Sequence, residues 1–177
     1  MGRITNQLMA LQHRVDAAAE EYGRDPETIQ IIAVSKTFPS AAIEEAMHAG
    51  QTAFGENYVQ EAVEKIKQLD KLRPWLEWHF IGPLQSNKTK EVAHHFDWVE
   101  SIDRLKIAER LSAQRLELPE VLPLQVCVQV NVSNEESKSG VLIEEALALC
   151  DAVAQLPGLT LRGLMAIPAP STNPEEQ

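Results

Sequence analysis

The sequence predicts an α/β fold built on parallel strands, and three observations carry that reading. Six short runs are β-branched and almost wholly apolar, which is how strands covered on both faces read. Amphipathic helical patterns lie between them, the alternation that right-handed crossovers between parallel strands require. Polar residues cluster after every strand instead of at one switch point.

The elements follow in order. Ile4, Leu8, Leu11, Val15, Ala18, Ala19 and Tyr22 recur at helical spacing and stop at Gly23, which makes an amphipathic opening helix. Ile29 to Ser35 is the first strand. Ser40 to Ala49 begins after a proline and ends at Gly50, as a helix does. Thr52 to Phe54 is the second strand, and Tyr58 to Leu72 is a helix with Val59, Ala62, Val63, Ile66 and Leu69 on one side. Strands at Trp78 to Ile81, Trp98 to Ile102, Leu124 to Val132 and Leu159 to Ile167 then alternate with helices at Asn87 to Phe96, Arg104 to Leu116 and Ile143 to Leu156.

Two architectures satisfy this order, an open doubly wound sheet and a (β/α)8 barrel. A barrel needs two more βα units and typically about 250 residues, so the length of 177 favours the open sheet. The phosphate fingerprints GxGxxG and GxxxxGK[ST] that would accompany such a sheet are absent. The polar stretch Asn173 to Gln177 also comes directly after a strand. The expectation is therefore one domain, residues 1–177, of the TIM-barrel type, with about six strands present and the C-terminal βα units lacking. Such a chain would leave strands one and six as open edges, an aggregation hazard.

Composition narrows the partners. A net charge of −10, a pI near 5.0 and no run of Lys or Arg longer than two disfavour a nucleic-acid platform. Hydrophobic residues make up 44% but are too dispersed for a span of about 20 apolar residues, so no membrane role is expected. Residues 1–10 lack the apolar stretch of a secretory signal, which makes the cytoplasm the expected address. Cys127 and Cys150 lack CxxC spacing and read as buried free thiols. No metal site is expected: His94 and His95 are adjacent and cannot share a helix face, and HExxH is absent.

Several residues could carry chemistry. Lys36 closes the run Ile31 to Thr37 and would emerge at the C-terminal mouth of the strands, where α/β sites gather. A lysine desolvated there could attack a carbonyl and form a Schiff base; otherwise it snorkels into the loops. Asn57, after Gly55, can cap the next helix. Gln85, Ser86 and Asn87 offer donors near a helix start after the Gly82-Pro83 turn. His79 lies one residue inside the third strand, as a core histidine or a proton shuttle. Lys138, between Ser137 and Ser139 and before Gly140, could help grip an anion, or belong to a solvated loop capping the next helix. Gly163 and Met165 suit packing against a flat ligand, although a strand methionine can also be plain core.

Five segments fall in order at the ends of consecutive strands: Ala33-Val-Ser-Lys-Thr37, Phe54-Gly-Glu-Asn-Tyr58, Trp78-His-Phe-Ile-Gly-Pro-Leu-Gln-Ser-Asn-Lys88, Ser137-Lys-Ser-Gly140 and Arg162-Gly-Leu-Met-Ala-Ile167. Together they resemble the pyridoxal phosphate homeostasis protein family, single-domain relatives of the alanine racemase barrel, over essentially the whole chain. The resemblance implies a (β/α)8-type barrel in which Lys36 forms the imine with pyridoxal 5′-phosphate (PLP), and a role in carrying or buffering that cofactor. It implies a cofactor site of Lys36, Asn57, His79, Lys138 and Met165, with no catalytic residue. PLP-dependent apoenzymes become the expected partners and a monomer the expected state.

The sequence departs from that family in two ways. Phe38 stands where bacterial relatives often carry a second lysine. The family motifs for the phosphate and pyridine nitrogen, Ser-x-Gly-Met-Ser and Arg-x-Gly, would lie beyond residue 177. Losing about three hydrogen bonds to charged groups would weaken binding roughly 10³-fold, so a chain complete at 177 is expected to form the imine weakly. Two other readings stay open. A PLP-dependent racemase needs an acid or base on each face of its substrate, and Tyr22 and Tyr58 are the only tyrosines. A cofactor-free class I aldolase would use the same lysine chemistry on the substrate itself.

Overall fold

The computed structural model describes residues 2–118, 120–135 and 138–173, and the chain divides into two compact units, Met1–His79 and Phe80–Gln177. Strand and helix alternate as expected, giving an α/β fold with six strands among the described residues.

The first unit opens with α1 (Arg3–Glu21), which stops where Gly23 turns left-handed at φ +66°. The Ile4 amide donates to Glu45 Oε1 at 3.1 Å and ties α1 to α2 (Ser40–His48). β1 is only Ala33–Val34, much shorter than Ile29 to Ser35. A 3-10 turn at Pro26–Thr28, capped by Asp25, occupies the approach. Beyond it the Ile31 carbonyl takes its hydrogen bond from the Gln51 side chain at 2.7 Å, where a strand would use a neighbouring ladder. Val34 is exposed, so β1 is not covered on both faces as its apolar run suggested.

β2 (Ala53–Glu56) is buried throughout and runs parallel to β1, with Ala33 opposite Phe54 and Val34 opposite Gly55. α3 (Val59–Gln68) ends earlier than the predicted Leu72 and gives way to a 3-10 turn at Asp70–Trp75 that contains Pro74. Proline has no N–H to donate, and its ring clashes with a carbonyl four residues back, so an α-helix cannot continue there. β3 (Glu77–Phe80) follows. The Glu77 amide donates to the Thr52 carbonyl at 2.8 Å, and the Phe54 and Trp78 rings lie 6.1 Å apart in the core.

In the second unit α4 (Thr89–His95), α5 (Leu105–Leu116) and α6 (Ile143–Ala154) alternate with β4 (Trp98–Ile102), β5 (Leu124–Val130) and β6 (Leu159–Ala166). β4 pairs with β5 and β5 with β6, both in parallel. Phe80 and Phe96 meet edge to face at 5.5 Å above a core that includes Val99, Ile107, Leu111 and Val126. Arg115 is buried and clips three segments together. Its Nη1 donates to the carbonyls of Ala93 at 2.5 Å and Phe96 at 3.0 Å, and its Nε to that of Leu122 at 2.8 Å. β6 exposes Leu164 and is therefore not covered on both faces either.

The two cysteines are free, but only Cys127 is buried; Cys150 is half-buried, which corrects the expectation for it. Burial, and then the neighbouring Glu100, push the Cys127 thiol up to about 12, so it stays neutral. Among the described residues no helix is long and apolar enough to cross a membrane.

Candidate functional site

The ladder between β1 and β2 runs one residue past the strand, because the Ser35 amide donates to the Gly55 carbonyl at 2.9 Å. The Ser35 carbonyl then accepts the Phe38 amide at 3.1 Å, closing a four-residue turn with Lys36 and Thr37 at its centre. Thr37 adopts φ +66°. That is a left-handed conformation which a β-branched residue rarely takes, at a turn position where Gly or Asn is usual. Lys36 projects from this turn half-buried, and its ammonium makes no hydrogen bond or ion pair among the described residues.

What holds the turn is a buried charge cluster that sequence reasoning missed. Lys65, on α3, directs its ammonium to three acceptors: the Ser35 carbonyl at 2.7 Å, Glu56 Oε1 at 2.8 Å and Glu61 Oε1 at 2.6 Å. Glu56 ends β2 wholly buried, and its Oε1 also accepts the Ser35 hydroxyl at 2.6 Å. Glu61 Oε1 accepts the Thr37 amide at 2.5 Å. The residues on either side of Lys36 are therefore fixed by side chains, while Lys36 is not. The Glu61 carboxyl is held below the usual carboxylate range by its hydrogen bond from Lys65, with the Thr37 amide adding to the effect and burial opposing it.

A signal for this cluster was present in the sequence. Lys65 falls inside the apolar stripe of Val59, Ala62, Ile66 and Leu69, four residues after Glu61. A lysine at a core position is expensive unless paired, so its position asked for acidic partners.

The other predicted residues of the first unit are placed as follows. Asn57 immediately follows β2, at the same end of the parallel pair as Lys36. It does not cap α3, contrary to the sequence expectation: the N-cap is Tyr58, with no side-chain cap bond. Asn57 Oδ1 is instead buried with no hydrogen-bond partner among the described residues. His79 is buried within β3, its Nε2 3.6 Å from Glu77 Oε1, the environment of a core histidine.

In the second unit Lys138 and Met165 come to one end of the β5 and β6 pair. Met165 lies opposite Gln129, half-buried. Lys138 Nζ donates to the Ile167 carbonyl at 3.3 Å and pairs with Glu135 Oε1 at 3.1 Å, so its charge is already engaged. The loop does not cap α6, whose N-cap is Leu142 with no side-chain bond. Gly140 does provide a close approach, but to its own chain: at φ +120° a Cβ there would sit 2.7 Å from the Asn131 amide nitrogen. Ser137 lies outside the described residues, as do residues 174–177. Gln85, Ser86 and Asn87 lie just before α4, whose N-cap is Lys88, and the Ser86 carbonyl accepts the Thr89 hydroxyl at 3.0 Å.

This chain matches the family model described as alanine racemase, N-terminal domain, over residues 7–177. It is 54% identical to the pyridoxal phosphate homeostasis protein of Haemophilus influenzae across 174 residues, 98% of this chain and 73% of that protein. It is 56% identical to the protein of the same name from Escherichia coli K12, over 97% of this chain and 73% of that one. Among solved structures, PipY of Synechococcus elongatus with PLP bound aligns at a TM-score of 0.75 and 40% identity, over 89% of this chain and 72% of that one.

Proposed function

We propose, since the chain belongs to the pyridoxal phosphate homeostasis protein family and shares the alanine racemase N-terminal domain fold, that it holds PLP on Lys36 and serves to store and release it. When bound, PLP supplies an aldehyde that a primary amine captures reversibly. The observation that carries the assignment is the contrast at the end of β1: a turn anchored on both sides of Lys36, with the ammonium of Lys36 itself left without a partner among the described residues.

The residues present fit such a group. Lys36 offers the amine, and Asn57 Oδ1, buried and unpaired at the same end of β1 and β2, offers an acceptor. The family resemblance gives cofactor contacts to His79 and, in the second unit, to Lys138 and Met165 as well; Lys138 is already paired with Glu135. The acidic groups tied to the Lys36 turn, Glu56 and Glu61, are both committed to Lys65. This supports a carrier over an enzyme, because acid–base work needs groups that can exchange a proton with substrate. The proposal extends to PLP-dependent apoenzymes as recipients, a monomeric carrier and a cytoplasmic location.

The test is spectroscopic. Purified protein mixed with PLP should develop a visible absorbance band that Lys36→Ala abolishes, and borohydride reduction followed by peptide mapping should place the pyridoxyl label on Lys36. A label on another residue overturns the assignment. Exchange of an amino acid's α-proton in deuterated water, far faster than with free PLP, would replace the carrier with a racemase.

A further inference from the structure

We infer that Glu61 is a positioning residue for Lys36, acting through the backbone amide of Thr37. The inference rests on the proposed PLP site and adds a part to it. Thr37 is β-branched and left-handed at φ +66°, a conformation that survives only where its surroundings over-determine it. Its amide is held by a side-chain acceptor, Glu61 Oε1. That oxygen is itself fixed by Lys65, whose ammonium also binds the Ser35 carbonyl on the other side of Lys36. Glu61 and Lys65 lie one turn apart on α3, so a single helix face grips the turn at both ends.

This grip explains the choice of residue. A glycine would take the left-handed position without strain but would leave the turn free to adopt others. Threonine held by a carboxylate keeps one conformation, and with it one direction for the Lys36 side chain. The expected role is thus preorganisation of the amine for its aldehyde, with no contact between Glu61 and the cofactor.

The experiment uses the full chain and spares Lys65, whose loss would strand Glu56. In Glu61→Met the amide acceptor is removed and the helix kept. PLP affinity, read from the visible band, should fall about tenfold, the scale of one strained residue no longer held. Hydrogen exchange at the Thr37 amide should accelerate by a similar factor. Adding Thr37→Gly to Glu61→Met should restore affinity in part, since glycine takes the position without strain but does not confine the turn to it; a purely structural role for Glu61 would not be rescued this way. Wild-type affinity in Glu61→Met, or no recovery in the double variant, overturns the inference. Unaltered exchange at Thr37 also overturns it, whether or not PLP binds. If wild-type protein shows no PLP band, the proposed function fails, while faster exchange at Thr37 in Glu61→Met would still support the tether.

Discussion

The turn at Lys36 and the loop at Lys138 both present a lysine beside serine and threonine or glycine after a strand, yet the structure treats them oppositely. At Lys36 the polar partners fall on the backbone, through Lys65 and Glu61, and the amine has no partner among the described residues. At Lys138 they fall on the amine, through Glu135 and the Ile167 carbonyl. A nucleophile needs a rigid base and an uncommitted tip; a lysine that supplies charge without attacking can keep its ammonium engaged. Residue type does not separate the two cases, and the position of the hydrogen bonds does.

The sharpest way to break this comparison is to exchange the losses. Lys36→Ala should abolish the visible PLP band altogether, whereas Lys138→Ala should keep it, with affinity reduced by less than about tenfold, one hydrogen bond to a charged group at most. A band that survives in the first variant and vanishes in the second would invert the assignment.

The next largest effect concerns the frame. Lys65→Met leaves Glu56 buried beside no cation and should cost about 3 to 5 kcal/mol in denaturant unfolding. Pairing it with Glu56→Leu should recover much of that, because the uncompensated charge goes with it. Gly140→Ala tests the loop at a smaller scale. A Cβ would crowd the Asn131 amide at a left-handed position, so about 1 to 3 kcal/mol should be lost.

The smallest effect is acid sensitivity. Glu61 has a lowered folded-state pKa, so its contribution is fully present above the ordinary carboxylate value of about 4.5 and is lost as pH falls through the lowered value. Exchange at the Thr37 amide should therefore show excess acceleration on that acid limb. Glu61→Gln should flatten it.

Much of this was legible in the sequence. β4 falls at Trp98–Ile102 as read, because Trp98, Val99 and Ile102 give it apolar ends and Asp97 and Asp103 bound it on both sides. β1 was not, since Ile29 to Ile32 are apolar enough for a strand while Gln51, distant in sequence, takes the Ile31 carbonyl. Lys36 could be picked from its place at a strand end. Its support was signalled only by Lys65 inside an apolar stripe, because which carboxylates that lysine meets is set when β2 and α3 pack, and Asn57 read as a cap because local rules could not show that Tyr58 would take that position.

Arg115 has a consequence for motion. α4 is seven residues long, and a helix that short would fray rapidly in isolation. By holding the carbonyls of Ala93 and Phe96 from α5, the guanidinium ties the end of the short helix to the longer one. The two should open together, in a single slow event in place of many fast ones.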